Sequence, residues 1–220
     1  SYTLYNLLKN MRCILMKYEW KKQEKNLYGA KPMPALITVP MQSYIMIDGN
    51  GNPNDEDFSN RVAALYALAY AIKMGYKSAA TKGDTTLGIH DFAVYPLEGI
   101  WKQVQSDELV KEELEYTIMI RQPDFITESM VCAALEIVKK KKPNPLYENI
   151  RFDTMQDGKC IEILHIWAFD DEPASFEKMA QLAVKNGLKR DESYHREIYL
   201  NNANRVEKSK LKTILRFSVK

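Results

Sequence analysis

In the run Tyr194-His195-Arg196-Glu197-Ile198-Tyr199-Leu200, an imidazole, a carboxylate and a phenol recur at every second position. As a strand, this run places His195, Glu197 and Tyr199 on one face and Arg196, Ile198 and Leu200 on the other. A carboxylate set among rings can pair with a cationic ligand, take a proton from water, or accept a hydrogen bond from a neighbouring phenol. A solvated polar face is the plainer reading of the same alternation. Glu98 stands between Leu97 and Gly99, close to Trp101, and a second carboxylate in the same groove would suit acid–base work. Its plainer role is a local cap on a backbone N–H. Tyr70 lies at the edge of a helical apolar stripe, where it could face a cleft. His165 alternates with Ile161 and Ile163, a pattern that favours a satisfied core histidine.

The spacing excludes several chemistries. His90, His165 and His195 have no HExxH-type spacing, so no metal site is expected. There is no GxSxG nucleophile elbow. The loop Gly49-Asn50-Gly51-Asn52-Pro53 misses the dinucleotide pattern because Asn54 stands where a glycine is required, and no cofactor is expected. Cys13, Cys132 and Cys160 are scattered, with no CxxC, which suits a reducing cytoplasm. A net charge of +2 over 220 residues argues against nucleic acid as partner. The basic run 139–142 reads as compensation of a helix dipole. No apolar stretch is long enough for a membrane span. About thirty residues ahead of position 35 are too few for a DNA-reading domain.

The elements that must carry these residues follow from periodicity and turn chemistry. Strand-like runs at 35–48, 91–101 and 115–122 surround a helix at 56–74, with Pro40 marking an edge or bulge and Gly75 a helix stop. The same strand–helix–strand–strand order returns at 159–167, 173–186, 194–200 and 211–219. Each helix follows a polar loop with a proline, Pro53 and Pro173. The expected fold is α+β: module one at 30–123, a connecting helix at 127–140 and module two at 150–220, with an N-terminal extension at 1–29 in which Met16 could be the natural start. Paired modules bury their sheets against helices and leave a groove at the junction.

The segments PLEGIW (96–101), ILHIWAFDDEP (163–173), HREIYL (195–200) and KTILR (212–216) resemble the stand-alone GyrI-like small-molecule-binding proteins. The resemblance extends over nearly everything from about residue 17 onward. It implies two modules about a pseudo-twofold axis with a ligand cleft at their junction. Some relatives are effector domains of multidrug-resistance regulators, in which a buried glutamate among aromatics receives cationic or planar drugs. Others are hydrolases that open the cyclopropane of DNA-alkylating natural products. By motif the central glutamate is Glu197. Trp167 departs from the glycine, and Phe169 from the tyrosine, of the family's HIGxY pattern, and both could reshape the cleft. The expected function is cytoplasmic binding of bulky hydrophobic or aromatic small molecules, with cyclopropanoid hydrolysis as a further step. Glu197, Tyr199 and Glu98 are the candidate catalytic residues, and Trp101, Trp167, Tyr70, His165 and Phe169 the candidate ligand contacts. The alternative is a non-catalytic drug sink or a protein-binding adaptor, its partner unknown.

Overall fold

The computed structural model describes residues 16–83, 88–102, 113–167, 171–191, 194–202 and 205–220. The chain begins with β1 (Met16–Tyr18), α1 (Trp20–Gln23), α2 (Lys25–Tyr28), β2 (Ala35–Val39) and β3 (Gln42–Asn50). Next come α3 (Glu56–Thr81), β4 (Ile89–Phe92), β5 (Leu97–Lys102), β6 (Glu115–Gln122) and α4 (Glu128–Lys141). The last part holds β7 (Arg151–Met155), β8 (Gly158–Ile166), α5 (Glu172–Lys185), β9 (Tyr194–Tyr199) and β10 (Lys212–Ser218). The fold is α+β. Among the described residues one eight-stranded antiparallel sheet runs β2-β8-β10-β9-β5-β6-β3-β7, and β1 and β4 form a small parallel pair.

With β4 set aside, which pairs with β1 outside the large sheet, the order β3-α3-β5-β6 is matched by β8-α5-β9-β10, and β9 and β5 are neighbours in the sheet. The outer strands are exchanged. β2 precedes the first set in sequence yet pairs with β8, while β7 precedes the second set and pairs with β3. Residues 35–48 therefore do not make one strand. Pro40 has no N–H for a ladder, and the chain breaks there so that β2 and β3 lie far apart in the sheet. The 91–101 run also divides, into β4 and β5 on either side of Pro96. α3 passes through Gly75 and continues to Thr81, because packing carries it on: Tyr76 and Ala80 are buried, and the Tyr76 hydroxyl donates to the Ile89 carbonyl. The stop is instead at Gly83, with φ of +94°. Trp20, Leu27 and Tyr28, ahead of the boundary expected at residue 30, are buried in the same core as the sheet.

Register decides what each face of the sheet carries. Ile47, Ile118, Gly99, Glu197, Leu215 and Ile163 are successive cross-strand partners and so share a face. α3 packs on the β3–β6 end of this face, around Ile45, Ile47, Ile118 and Ile120. α5 packs on the β8–β10 end, around Ile161, Ile163, Leu215 and Phe217. Gly99 and Glu197 fall between the two. The neighbouring row Met46, Met119, Glu98, Ile198, Ile214 and Leu164 points to the opposite face.

Candidate functional site

Gly99 makes the centre of the helix-covered face possible. A Cβ there would lie 2.7 Å from Trp101 Nε1 and 3.1 Å from the Tyr199 hydroxyl oxygen. The indole of Trp101 crosses the space that a side chain at residue 99 would fill. Phe58 from α3 stacks on that indole at 6.1 Å, and Tyr116 tilts against it at 5.3 Å. The held indole donates from Nε1 to the Tyr199 hydroxyl at 3.0 Å. Tyr199 in turn donates to Glu197 Oε2 at 2.7 Å. Burial, reinforced by the Glu197 charge, raises the Tyr199 phenol well above its usual value, so this hydroxyl keeps its proton and its direction of donation. On the other side, His195 Nε2 lies 2.9 Å from Glu197 Oε1, and Phe176 of α5 sets its ring edge-on to the imidazole at 4.9 Å.

Glu197 is 8% exposed, and among the described residues no lysine or arginine forms an ion pair with it. Each of its oxygens accepts one hydrogen bond and retains a lone pair for another. Glu172, the first residue of α5, completes the group. One ligating atom from each of Glu172, His195 and Glu197 lies within 4.8 Å of the others. Such a set could hold a divalent cation or a polar ligand atom. Spacing along the chain gave no sign of it, because 23 positions separate Glu172 from His195 and the register of α5 on the sheet brings them together.

The other residues singled out by sequence divide. Trp101, Glu197 and Tyr199 do converge. Glu98 does not join them, and the expectation of two carboxylates in one groove at Glu98 and Glu197 is corrected. Glu98 sits on the opposite face, 1% exposed, with Arg196 Nη1 at 3.1 Å and the Tyr28 hydroxyl at 3.3 Å. Alternation within β5 fixes that outcome once Gly99 faces Glu197. His165 is buried with Nδ1 2.9 Å from the Ser175 hydroxyl, a satisfied histidine. It lines a shallow cavity of about 480 Å³ with Trp167, Pro32, Ser175 and Lys178, and Glu197 is not among the lining residues. Trp167 is 59% exposed and so is not an inward wall. Its φ of +146° is a conformation that glycine adopts without strain, which is where the family pattern has its glycine. Tyr70 is 54% exposed, its ring 6.4 Å from that of Tyr66. Phe169 lies outside the described residues.

The model of the GyrI-like small molecule binding domain matches residues 32–220. The chain belongs to the GyrI-like family. It is similar to a hydrolase from Listeria innocua, 34% identical, covering 93% of this chain and 100% of that one with a TM-score of 0.82. A second hydrolase structure from Listeria innocua is 35% identical over 92% of this chain and 100% of its own, with a TM-score of 0.80. The EcmrR C-terminal domain shares the GyrI-like fold at 13% identity, covering 86% of this chain and 97% of that one with a TM-score of 0.51. No curated protein matches the chain. Among the described residues no helix of this GyrI-like chain is long and apolar enough to cross a membrane.

Proposed function

We propose that this small-molecule-binding domain takes bulky, partly aromatic compounds into a cleft over the Gly99–Glu197 pair and hydrolyses those that carry a strained cyclopropane conjugated to a carbonyl. In this reading the two strand–helix–strand–strand sets are related by a pseudo-twofold axis, and the cleft lies at their junction. The observation that carries it is the state of Glu197: a nearly buried carboxylate, oriented by His195 and Tyr199, with no lysine or arginine ion pair among the described residues. A carboxylate in that state can receive a proton or a ligand's positive charge. The Listeria innocua relatives described as hydrolases support the reaction class.

The chemistry balances as addition of water. The water oxygen bonds to a ring methylene, the cyclopropane C–C bond breaks, and its electron pair passes into the conjugated carbonyl to give an enolate or phenolate. Glu197 takes the proton from the attacking water, and the product oxygen regains a proton from solvent. In this reading the Trp101 indole, held by Phe58 and Tyr116, would supply a planar contact for the substrate body. Ring strain supplies the driving force, so orientation and general-base assistance suffice.

Glu197→Gln tests this reading, because it keeps shape and removes the base. Turnover of a spirocyclopropyl-cyclohexadienone is expected to fall by about 10²–10⁴. Binding of a neutral planar dye, followed by tryptophan quenching, is expected to persist. Wild-type turnover in the variant would refute the assignment. Dye binding without any wild-type turnover would reduce the protein to a drug-binding sink.

A further inference from the structure

The proposed hydrolysis needs a water held with a lone pair aimed at the substrate, and one carboxylate cannot fix that orientation. A base that accepts one hydrogen of a water leaves the molecule free to rotate about that hydrogen bond. A second acceptor removes the rotation. Two acceptors that each lie about 2.8 Å from one water oxygen stand about 4.5 Å apart, given the water bond angle. Glu172 and Glu197 present oxygens no more than 4.8 Å apart, a limit that admits this spacing. We propose that Glu172 is a further catalytic residue, the second acceptor of the nucleophilic water, and that it fills the role the sequence suggested for Glu98. This rests on the hydrolytic reading of Glu197.

Three features of the structure favour a water-bridged pair. Both Glu197 oxygens are already oriented, by His195 Nε2 and by the Tyr199 hydroxyl, so the lone pairs that remain have fixed directions. Glu172 occupies the first position of α5, where the positive end of the helix dipole offsets the repulsion between two neighbouring carboxylates. Phe176, one turn further along the same helix, contacts the His195 ring, so the docking of α5 sets Glu172 and His195 together. In the reaction Glu197 accepts the proton that leaves the water. Glu172 holds the other hydrogen, which stays on the product hydroxyl, and it undergoes no net change.

The test measures ring opening of a spirocyclopropyl-cyclohexadienone in water–methanol mixtures by the wild type, Glu172→Ala and Glu172→Gln, with thermal melts as a control for folding. Methanol has one O–H and cannot bridge two acceptors. The wild type is therefore expected to favour the alcohol product over the methyl ether beyond the solvent ratio, and Glu172→Ala to lose that preference. Glu172→Ala is expected to lower kcat about 10²-fold with KM near the wild-type value, the scale of a misplaced reactant. Glu172→Gln keeps an acceptor oxygen and is expected to restore most of kcat and the product ratio. An unchanged product ratio in Glu172→Ala, or a Glu172→Gln as impaired as Glu172→Ala, overturns the inference while leaving Glu197 as the base. Loss of activity on chelation, recovered with Mn²⁺ or Zn²⁺, also overturns it and makes the same three residues a metal site. If the wild type opens no such ring, the hydrolytic reading fails. A high-resolution crystal structure then decides about Glu172: a water bonded to both carboxylates supports the placement, and none refutes it.

Discussion

Glu98 and Glu197 sit on neighbouring strands, one residue out of step in register, and they occupy opposite faces of the same sheet. Around Glu98 the face is saturated with charge. Arg196 reaches Glu98 at 3.1 Å, Asp157 at 3.0 Å and the Tyr44 hydroxyl at 2.6 Å, and Arg216 pairs with Glu162 at 2.7 Å in the adjoining strands. Burial opposes the charge of Arg196, but Tyr44, Asp157 and Glu98 hold the guanidinium strongly protonated. Around Glu197 there are rings and a phenol instead, and its one ion-pair partner among the described residues is an imidazole. A buried carboxylate becomes structural when arginines answer it and chemically available when they do not. Residue type and burial are alike at the two positions; the partners differ.

The largest expected difference between the two faces is in stability. Glu98→Ala removes one of the two carboxylates that answer the buried Arg196 and leaves Asp157 as the other, so the loss is expected to reach at most the roughly 3–5 kcal/mol of a fully broken buried pair. Urea unfolding should show that loss, while Glu197→Gln, which keeps the side-chain shape and one of the two acceptor oxygens, is expected to cost about 1 kcal/mol. Equal losses at the two positions would break the comparison.

Gly99→Ala probes the join. The new methyl group meets the Trp101 indole, and Phe58 and Tyr116 keep that ring from moving aside. Overpacking of this kind costs about 1–3 kcal/mol. Weaker dye quenching should accompany it, with the Glu98 face unaffected.

The pH dependence sharpens the contrast further. Burial raises the Glu98 carboxyl above its usual value of 4.5, against the pull of Arg196 and Arg216. The folded protein therefore holds a proton that the unfolded chain has released, and stability falls as pH rises from about 4.5 through the raised value. The slope from one such group is at most about 1.4 kcal/mol per pH unit. Urea midpoints across a pH series should show a shallower decline for Glu98→Gln than for the wild type.

The smallest expected effect is chemical. Cys160 lies on the charged face, buried, its thiol pushed up to about 11 chiefly by burial. Cys132 is exposed on α4. Iodoacetamide at neutral pH followed by peptide mapping should label Cys132 in the folded protein and spare Cys160. Rapid labelling of Cys160 would show that the charged face opens easily.

Some of this could be read directly from the chain. Alternation in residues 194–200 separated Glu197 and Tyr199 from Arg196, because strand side chains alternate whatever the surroundings. The apolar spacing of α3, α4 and α5 was local enough to see. The family segments pointed to Glu197. What lay beyond reach was non-local. Nothing near Glu98 announces that its face carries Arg196, Arg216 and Tyr28, since those arrive from β9, β10 and α2. Glu172 is an acid in the first turn of α5, and nothing local in the chain joins it to Glu197 before α5 docks beside β9. The exchange of β2 and β7 was hidden for the same reason: pairing is chosen by the whole sheet. The sequence by itself determined which side chains share a strand face, through the two-residue period of the backbone. Only the tertiary structure decided which face would set arginines against its glutamate and which would surround Glu197 with rings, an imidazole and a phenol, because register and helix docking are set by contacts between residues far apart in the chain.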